Sequence, residues 1–132
     1  YVFIRDNAEI MDNVRVGRFV EIKKSHIADG TKIPHLSYIG DAEIGTNTNI
    51  GAGTITCNYD GVNKNKTKIG NDCFIGSDTM LIAPLNIGNK AMTAAGSTIT
   101  NDVPDEALGM GRARQTVIKG WYSRWRKSKG GK

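Results

Sequence analysis

The stretch IGNDCFIGSDTML, at residues 69–81, places an aliphatic residue at every sixth position. These residues are Ile69, Ile75 and Leu81, and glycine follows the first two. A period of six fits neither the 3.6-residue repeat of a helix nor the alternation of a long strand. It fits a short extended segment followed by a corner, where we expect glycine to supply a positive φ. The stretch therefore predicts a solenoid of short strands.

The same spacing extends over most of the chain. Aliphatic residues six apart lie at Ile4, Ile10, Val16 and Ile22, at Ile27, Ile33 and Ile39, at Ile44 and Ile50, and at Ile69, Ile75, Leu81, Ile87 and, after Thr93, Ile99. Seven of these residues are followed directly by glycine. Three such segments close a triangular coil of about eighteen residues, with the aliphatic side chains inside. The pattern predicts an all-β parallel β-helix and disfavours the alternative of an antiparallel sandwich.

The regular pattern is interrupted once and then stops. It breaks between residues 56 and 68, where a polar segment predicts a projecting loop. It stops after Val103, because Pro104 and Asp105 are typical of a turn. We therefore expect a β-helix domain at residues 1–103 and a basic C-terminal arm at residues 104–132, either extended or containing a short helix.

Charge and composition exclude several classes of protein. The 132 residues fit one domain, and the first of them is Tyr1 rather than Met, so we expect a fragment. Eight Lys or Arg and no acid lie in residues 112–132, which leaves ten basic and thirteen acidic residues in the body. A nucleic-acid-binding face on the body is therefore not expected. Membrane association is not expected either, and two cysteines favour the cytoplasm.

The sequence also contains motifs of a known family. They are GAGTITCNYDG at residues 51–61 with Lys64 after it, FVEIKK at 19–24, HLSYIGDA at 35–42, GSDT at 76–79 and AAG at 94–96. Together they resemble the acetyltransferase half of the bifunctional N-acetylglucosamine-1-phosphate uridyltransferase/glucosamine-1-phosphate acetyltransferases. The resemblance implies a left-handed β-helix of the hexapeptide-repeat class that forms homotrimers with sites at the subunit interfaces. That family's uridyltransferase domain precedes the β-helix, and we expect this chain to lack the second activity.

The resemblance implies a reaction as well as a fold. Acetyl-CoA would acetylate the amine of glucosamine 1-phosphate, giving N-acetylglucosamine 1-phosphate for the synthesis of UDP-N-acetylglucosamine, peptidoglycan and lipopolysaccharide, with no metal. The family motif assigns the general base to His35, and an imidazole suits this role because its unperturbed pKa, about 6.5, lies near neutrality. We expect Glu21 to bind one ring nitrogen of His35 and fix its tautomer, and His26 to be structural.

The implied substrate contacts are cationic and polar. Arg5 and Lys23 match the family's phosphate and sugar contacts, and their spacing of one coil predicts that they stack. Further substrate contacts are implied at Tyr38, Asn49, Asn58, Tyr59 and Lys64, with the loop closing the site from an adjoining subunit. Acetyl-CoA is expected beside Ala52, Ser77 and Ala95, with Asn58 and Tyr59 nearby and with Arg112 and Trp121 holding the nucleotide end. The sequence departs from the family in lacking a proline directly after Arg112.

Three other functions are less favoured. Another hexapeptide acyltransferase would act on a different amino or hydroxyl sugar. A β-helical carbonic anhydrase needs three zinc-binding histidines, and this chain has two histidines. A scaffold or ice-binding surface would be flat and rich in threonine, without a charged loop.

Overall fold

A computed structural model describes residues 1–131, which form three parallel sheets of short strands and one short helix. Sheet A contains β1 (Val2–Ile4), β4 (Val20–Lys23), β7 (Tyr38–Gly40), β10 (Ile55–Cys57), β13 (Met80–Ile82) and β16 (Thr98–Ile99). Sheet B contains β2 (Glu9–Ile10), β5 (His26–Ile27), β8 (Ala42–Ile44), β11 (Thr67–Ile69) and β14 (Leu85–Ile87). Sheet C contains β3 (Arg15–Arg18), β6 (Lys32–His35), β9 (Asn49–Ile50), β12 (Phe74–Ile75), β15 (Met92–Thr93) and β17 (Leu108–Gly109).

The chain visits the three sheets in rotation, so each strand pairs with the strand of the next coil. The pairing is parallel throughout, as between β1 and β4 or between β11 and β14. The result is a β-solenoid of about six turns, and the predicted left-handed β-helix of the hexapeptide-repeat class is confirmed.

The aliphatic residues that define the sequence pattern fill the interior. In sheet B the register aligns one column, formed by Ile10, Ile27, Ile44, Ile69 and Ile87. The last four members of this column are at most 3% exposed. Burying one such side chain stabilises the fold by about 1.5–3 kcal/mol. The repeat therefore determines both the shape and the core of the solenoid.

The glycines that follow the aliphatic residues have a different role from the one expected. None of the seven has a positive φ; positive φ falls two residues later, as at Asn47 (52°) and Asp72 (55°). The glycines are needed because the next coil passes directly over them. A Cβ on Gly51 would lie 2.5 Å from the backbone nitrogen of Ser77. The corner thus selects glycine for close approach of two backbones.

The solenoid extends beyond the predicted boundary at Val103. Val103 bridges to Ile87, and Asp105 accepts a hydrogen bond from the backbone N–H of Asn89 at 2.7 Å. Residues 104–106 therefore form another corner, and β17 follows in sheet C. The prediction failed because a proline at the start of a corner resembles a proline that ends the repeat.

The loop is shorter than expected and has internal structure. Strand β10 continues to Cys57 and β11 begins at Thr67, so the projecting loop covers residues 58–66. Tyr59 and Lys64 form an antiparallel bridge across it. The Asp60 carboxylate accepts hydrogen bonds from the N–H groups of Val62 and Asn63 at 2.8 and 2.7 Å. Bonds from the Asn63 and Val62 amides lower the pKa of Asp60.

The C-terminal arm contains one short helix, α1 (Trp121–Ser128), which decides between the two forms left open by the sequence. Across residues 1–131, no helix is long and apolar enough to cross a membrane.

Candidate active site

One corner of the solenoid, between sheets C and A, aligns five of the predicted site residues. Ala52, Ser77 and Ala95 occupy equivalent places, each two residues beyond an inward-facing residue of β9, β12 or β15, and those strands stack in register. His35, at the end of β6, stands one coil earlier. At the other end, Nη1 of Arg112 donates a hydrogen bond to the carbonyl of Ala95 at 2.7 Å. We call these five residues the corner column.

Backbone N–H groups are open along the corner column, in contrast with the corner between sheets B and C. There, the equivalent N–H groups donate hydrogen bonds of 2.7–2.8 Å to side chains of the next coil. The N–H of Thr46 donates to Asn71, that of Asn71 donates to Asn89, and that of Asn89 donates to Asp105.

The equivalent places on the corner column are occupied by three small residues. Within residues 1–131, the N–H groups of Ala52, Ser77 and Ala95 make no hydrogen bond. An extended ligand that carries carbonyl groups can therefore lie along this corner and accept hydrogen bonds from successive coils.

The imidazole of His35 is exposed at the end of the corner column. Its side chain makes no hydrogen bond or ion pair with another described residue, whereas its backbone carbonyl accepts the Ser37 hydroxyl at 2.9 Å. Both ring nitrogens are therefore available to a ligand. The second histidine, His26, lies on sheet B and binds the carboxylate of Glu9 through Nδ1 at 3.1 Å.

The expected hydrogen bond between Glu21 and His35 is wrong for this structure. Oε1 of Glu21 instead accepts a hydrogen bond from Nη1 of Arg5 at 2.8 Å. The reason lies in the register: β1 pairs with β4, which puts Arg5, the residue directly after β1, beside the strand that holds Glu21. The long guanidinium reaches the carboxylate easily from there, whereas His35 lies across the corner in sheet C.

Polar residues gather at the other edge of sheet A, near the base of the loop. Nδ2 of Asn58 lies 2.6 Å from Oδ2 of Asp41 and 3.2 Å from the hydroxyl oxygen of Tyr38. Lys64 lies beside Lys23, which lowers the pKa of Lys64 through a side-chain hydrogen bond and through its positive charge, while the charge of Asp41 opposes the effect. We call these five residues the acceptor cluster.

The acceptor cluster differs from the sequence-based expectation in one respect. The predicted stacking of Arg5 under Lys23 is present, because Ile4 and Ile22 pair directly before them. The cation that accompanies Lys23 is nevertheless Lys64 of the same chain, since Arg5 is bound to Glu21.

Asp41 and Gly40 were not singled out from the sequence. A Cβ on Gly40 would lie 2.4 Å from the Tyr38 hydroxyl oxygen and 2.6 Å from Nδ2 of Asn58, so this glycine leaves room for both side chains. The available signal was the position of Gly40 and Asp41 two and three residues after Tyr38 in the motif HLSYIGDA.

The side chains of three further predicted site residues make no hydrogen bond with either group in the described part of the chain. Asn49 is on the outer face of sheet C, paired with Lys32 and Phe74. Tyr59 is exposed, and its hydroxyl donates to the carbonyl of Gly61 at 2.8 Å. Trp121 stacks on Trp125 within α1, with 5.7 Å between ring centroids.

The fold is a solenoid of the hexapeptide-repeat class. A family model described as the hexapeptide repeat of succinyl-transferase matches residues 66–101. Among solved structures, PerB from Caulobacter crescentus, in complex with CoA and GDP-perosamine, superimposes with a TM-score of 0.74 at 21% identity, covering 83% of this chain and 51% of that one. A mutant of AntD, an N-acyltransferase from Bacillus cereus, has a TM-score of 0.67 at 19% identity over 96% of this chain and 88% of that one.

Sequence comparison finds relatives of much higher identity than these solved structures. The chain is 60% identical over 126 residues to the bifunctional protein GlmU of Jannaschia sp. (strain CCS1), covering 96% of this chain and 28% of that protein. The chain thus spans a little over a quarter of the length of this relative. The resemblance seen in the sequence motifs is confirmed.

Proposed function

We propose that the chain transfers the acetyl group of acetyl-CoA to the amine of glucosamine 1-phosphate, acting as a glucosamine-1-phosphate N-acetyltransferase. One observation supports this most strongly: the corner column joins an exposed imidazole to a line of open backbone N–H groups that ends at an arginine. The GlmU relatives and the acyltransferase neighbours support the same reaction. Two free cysteines favour the reducing cytoplasm as its location.

The corner column suits acetyl-CoA in three ways. The side chains of Ala52, Ser77 and Ala95 are small, so the pantetheine arm can approach the backbone and accept hydrogen bonds from its N–H groups. Arg112 supplies positive charge for the phosphates of the nucleotide end. The N–H of Ala52, one coil from His35, would stabilise the thioester oxyanion. Asn58 and Tyr59 of a neighbouring copy, together with Trp121, complete this binding site in the proposal.

His35 acts as the general base in the proposed reaction. The amine nitrogen attacks the thioester carbonyl carbon, the imidazole takes the proton that the nitrogen loses, and the C–S bond breaks to release CoA. General base catalysis of this kind contributes roughly 10²–10⁴ in rate. Because Glu21 holds Arg5 in this structure, we assign it to positioning that guanidinium for the acceptor.

The acceptor cluster suits a phosphorylated amino sugar. Lys23 lowers the pKa of the neighbouring Lys64, first through a side-chain hydrogen bond and then through the repulsion between the two cations. A phosphate dianion between them would relieve this repulsion. Arg5 adds a third cation, and Tyr38 and Tyr59 offer hydroxyl groups to the sugar. Asn49, which lies on sheet C, would offer its amide from a neighbouring copy.

We expect the active form to be a homotrimer with sites at subunit interfaces. An exposed apolar ladder on sheet C supports association, since Phe74, Met92 and Leu108 stack in register and remain 49%, 47% and 56% exposed in one chain. Burial of such a ladder against another copy would be favourable. Neighbouring copies would then bring the acceptor cluster of one chain, together with its loop residues 58–66, to the corner column of an adjoining chain.

Release of the CoA thiol tests the proposal directly. The chain is mixed with acetyl-CoA and either glucosamine 1-phosphate or glucosamine, and the acetylated product is identified by mass. We expect efficient transfer to glucosamine 1-phosphate only, and a fall in kcat of roughly 10²–10⁴ in His35→Ala. The matched control, His26→Ala, removes the other histidine from a distant face and is expected to keep full activity. Equal turnover in the two variants would contradict the role of His35.

A further inference from the structure

The acceptor cluster contains a carboxylate that has no assigned role. Asp41 lies at the corner between β7 and β8, with φ 51° and its backbone N–H donated to the carbonyl of Lys23 at 3.1 Å. Its Oδ2 accepts a hydrogen bond from Nδ2 of Asn58 at 2.6 Å. The Asn58 side chain is almost fully enclosed, at 7% exposure, so its orientation is determined by these neighbours.

The chemistry of Asp41 fixes which way the Asn58 amide points. An ionised carboxylate only accepts hydrogen bonds, so the NH₂ group of Asn58 must face Asp41. The second N–H of the same group points to the Tyr38 hydroxyl oxygen at 3.2 Å, and that oxygen therefore acts as an acceptor here. Tyr38 keeps its own O–H proton free to donate. The side-chain carbonyl oxygen of Asn58 makes no hydrogen bond to any residue in the range 1–131, whereas its backbone carbonyl accepts the N–H of Asn65 at 2.7 Å.

We propose that Asp41 is a positioning residue that fixes the hydrogen-bond polarity of the acceptor site, so that Tyr38 is presented as a donor and Asn58 as an acceptor. The proposal rests on the proposed function and deepens it. It defines the ligand chemistry that fits: an acceptor such as a phosphate or ring oxygen opposite Tyr38, and an N–H or O–H donor opposite Asn58. A phosphorylated amino sugar carries both kinds of group.

Replacement of Asp41 by asparagine is the sharpest test. Asparagine has the same shape and tolerates the left-handed backbone that this corner requires. It can also donate, so Asn58 is no longer forced into one orientation and Tyr38 is no longer kept as a donor. We expect Asp41→Asn to lower kcat/KM for glucosamine 1-phosphate by roughly 10- to 100-fold with little change in Tm.

A matched control separates this effect from a general effect at corners. Asp72 also occupies a corner with positive φ, at 55°, and its carboxylate makes no hydrogen bond with the described part of the chain. Asp72→Asn is expected to leave kcat/KM unchanged. An equal loss in both variants, or no loss in Asp41→Asn, would overturn the proposal.

A double-mutant cycle with Tyr38→Phe tests the polarity itself. Removing the hydroxyl is expected to cost activity in the natural sequence and to cost little more in the Asp41→Asn background, because the donor is already lost there. Fully additive losses would mean that Asp41 acts independently of Tyr38, which contradicts the proposal.

Nuclear magnetic resonance gives a readout that does not need turnover. The side-chain NH₂ signals of Asn58 are expected to be shifted and slow to exchange with solvent in the natural sequence, and to lose both properties in Asp41→Asn. Fast exchange of these protons in the natural sequence would refute the arrangement even if the variant did not fold. Absence of acetyl transfer together with protected Asn58 protons would instead refute the proposed function and leave the positioning by Asp41 intact.

Discussion

Replacing Gly40 with alanine would separate activity from stability at the acceptor cluster. The added Cβ would stand 2.4 Å from the hydroxyl oxygen of Tyr38, 2.7 Å from its Cζ and 2.6 Å from Nδ2 of Asn58. Ordinary contact begins at 3.4 Å, so the tyrosine must move by about 1 Å. A misplacement of this size near a reacting group can cost roughly 10²-fold in rate, and this is the loss in kcat/KM that we expect.

Stability is expected to change much less than activity. The atoms that the new methyl group meets belong to the ends of side chains, which can shift, and Gly40 has no positive φ that alanine would strain. Overpacking costs about 1–3 kcal/mol, and the reduced freedom of the unfolded chain offsets about 0.4–1 kcal/mol of it. Steady-state kinetics with glucosamine 1-phosphate and urea unfolding measure the two effects on the same preparation.

Gly45→Ala provides the contrasting control. Its Cβ would meet backbone atoms of Gly70 at 2.7 Å, on the far corner between sheets B and C. We expect a larger loss of stability there, with kcat/KM unchanged for the folded molecules. If Gly40→Ala kept full activity, the positions of Tyr38 and Asn58 would not matter for the reaction, and the acceptor cluster would be misassigned.

Three further predictions concern charge and packing. Lys23 lowers the pKa of Lys64, so Lys64 loses its charge in alkali at a pH below the ordinary lysine pKa of 10.5. The KM for glucosamine 1-phosphate is therefore expected to rise below that pH. A KM that stays constant up to pH 10.5 would contradict the cation pair. The pKa of Asp60 is lowered, so the stabilisation of the loop by this carboxylate is complete above the ordinary pKa of 3.8 and is lost as the pH falls through the lowered pKa. Amide exchange in residues 58–66 should therefore accelerate only in strong acid. Ile27 is fully buried, and Ile27→Ala is expected to cost about 2–5 kcal/mol in urea unfolding without changing kcat, whereas a cost below about 1 kcal/mol would show that the core is loosely packed.

The repeat made most of the fold predictable from the sequence. When a side chain faces the interior at every sixth residue, the sequence shows a period that few other folds share. Ile27, Ile44 and Ile69 were predicted from this period to face the interior, and they stack there in register. The role of glycine was not predictable in the same way. Whether Gly51 supplies a positive φ or makes room for Ser77 depends on where the next coil passes, and only the register between coils decides this.

The candidate site was predictable as a list of residues but not as a set of contacts. Motif resemblance marked Glu21, His35 and Arg5, and the structure distributes them over two sheets, so that the carboxylate meets Arg5. Asp41 escaped notice because an aspartate at a corner is common and its function depends on Asn58, seventeen positions away. Such contacts arise from coil stacking, and the spacing along the chain does not encode them directly.

The affinity for acetyl-CoA tests the central claim most directly, because that claim assigns one corner of three to this ligand. Ala52→Trp fills the corner column, and Thr46→Trp places the same bulk at the equivalent position of the corner between sheets B and C. We predict that Ala52→Trp raises the KM for acetyl-CoA by roughly 10-fold or more, while Thr46→Trp leaves it unchanged. An unchanged KM in Ala52→Trp, or an equal rise in both variants, would show that acetyl-CoA does not lie along this corner.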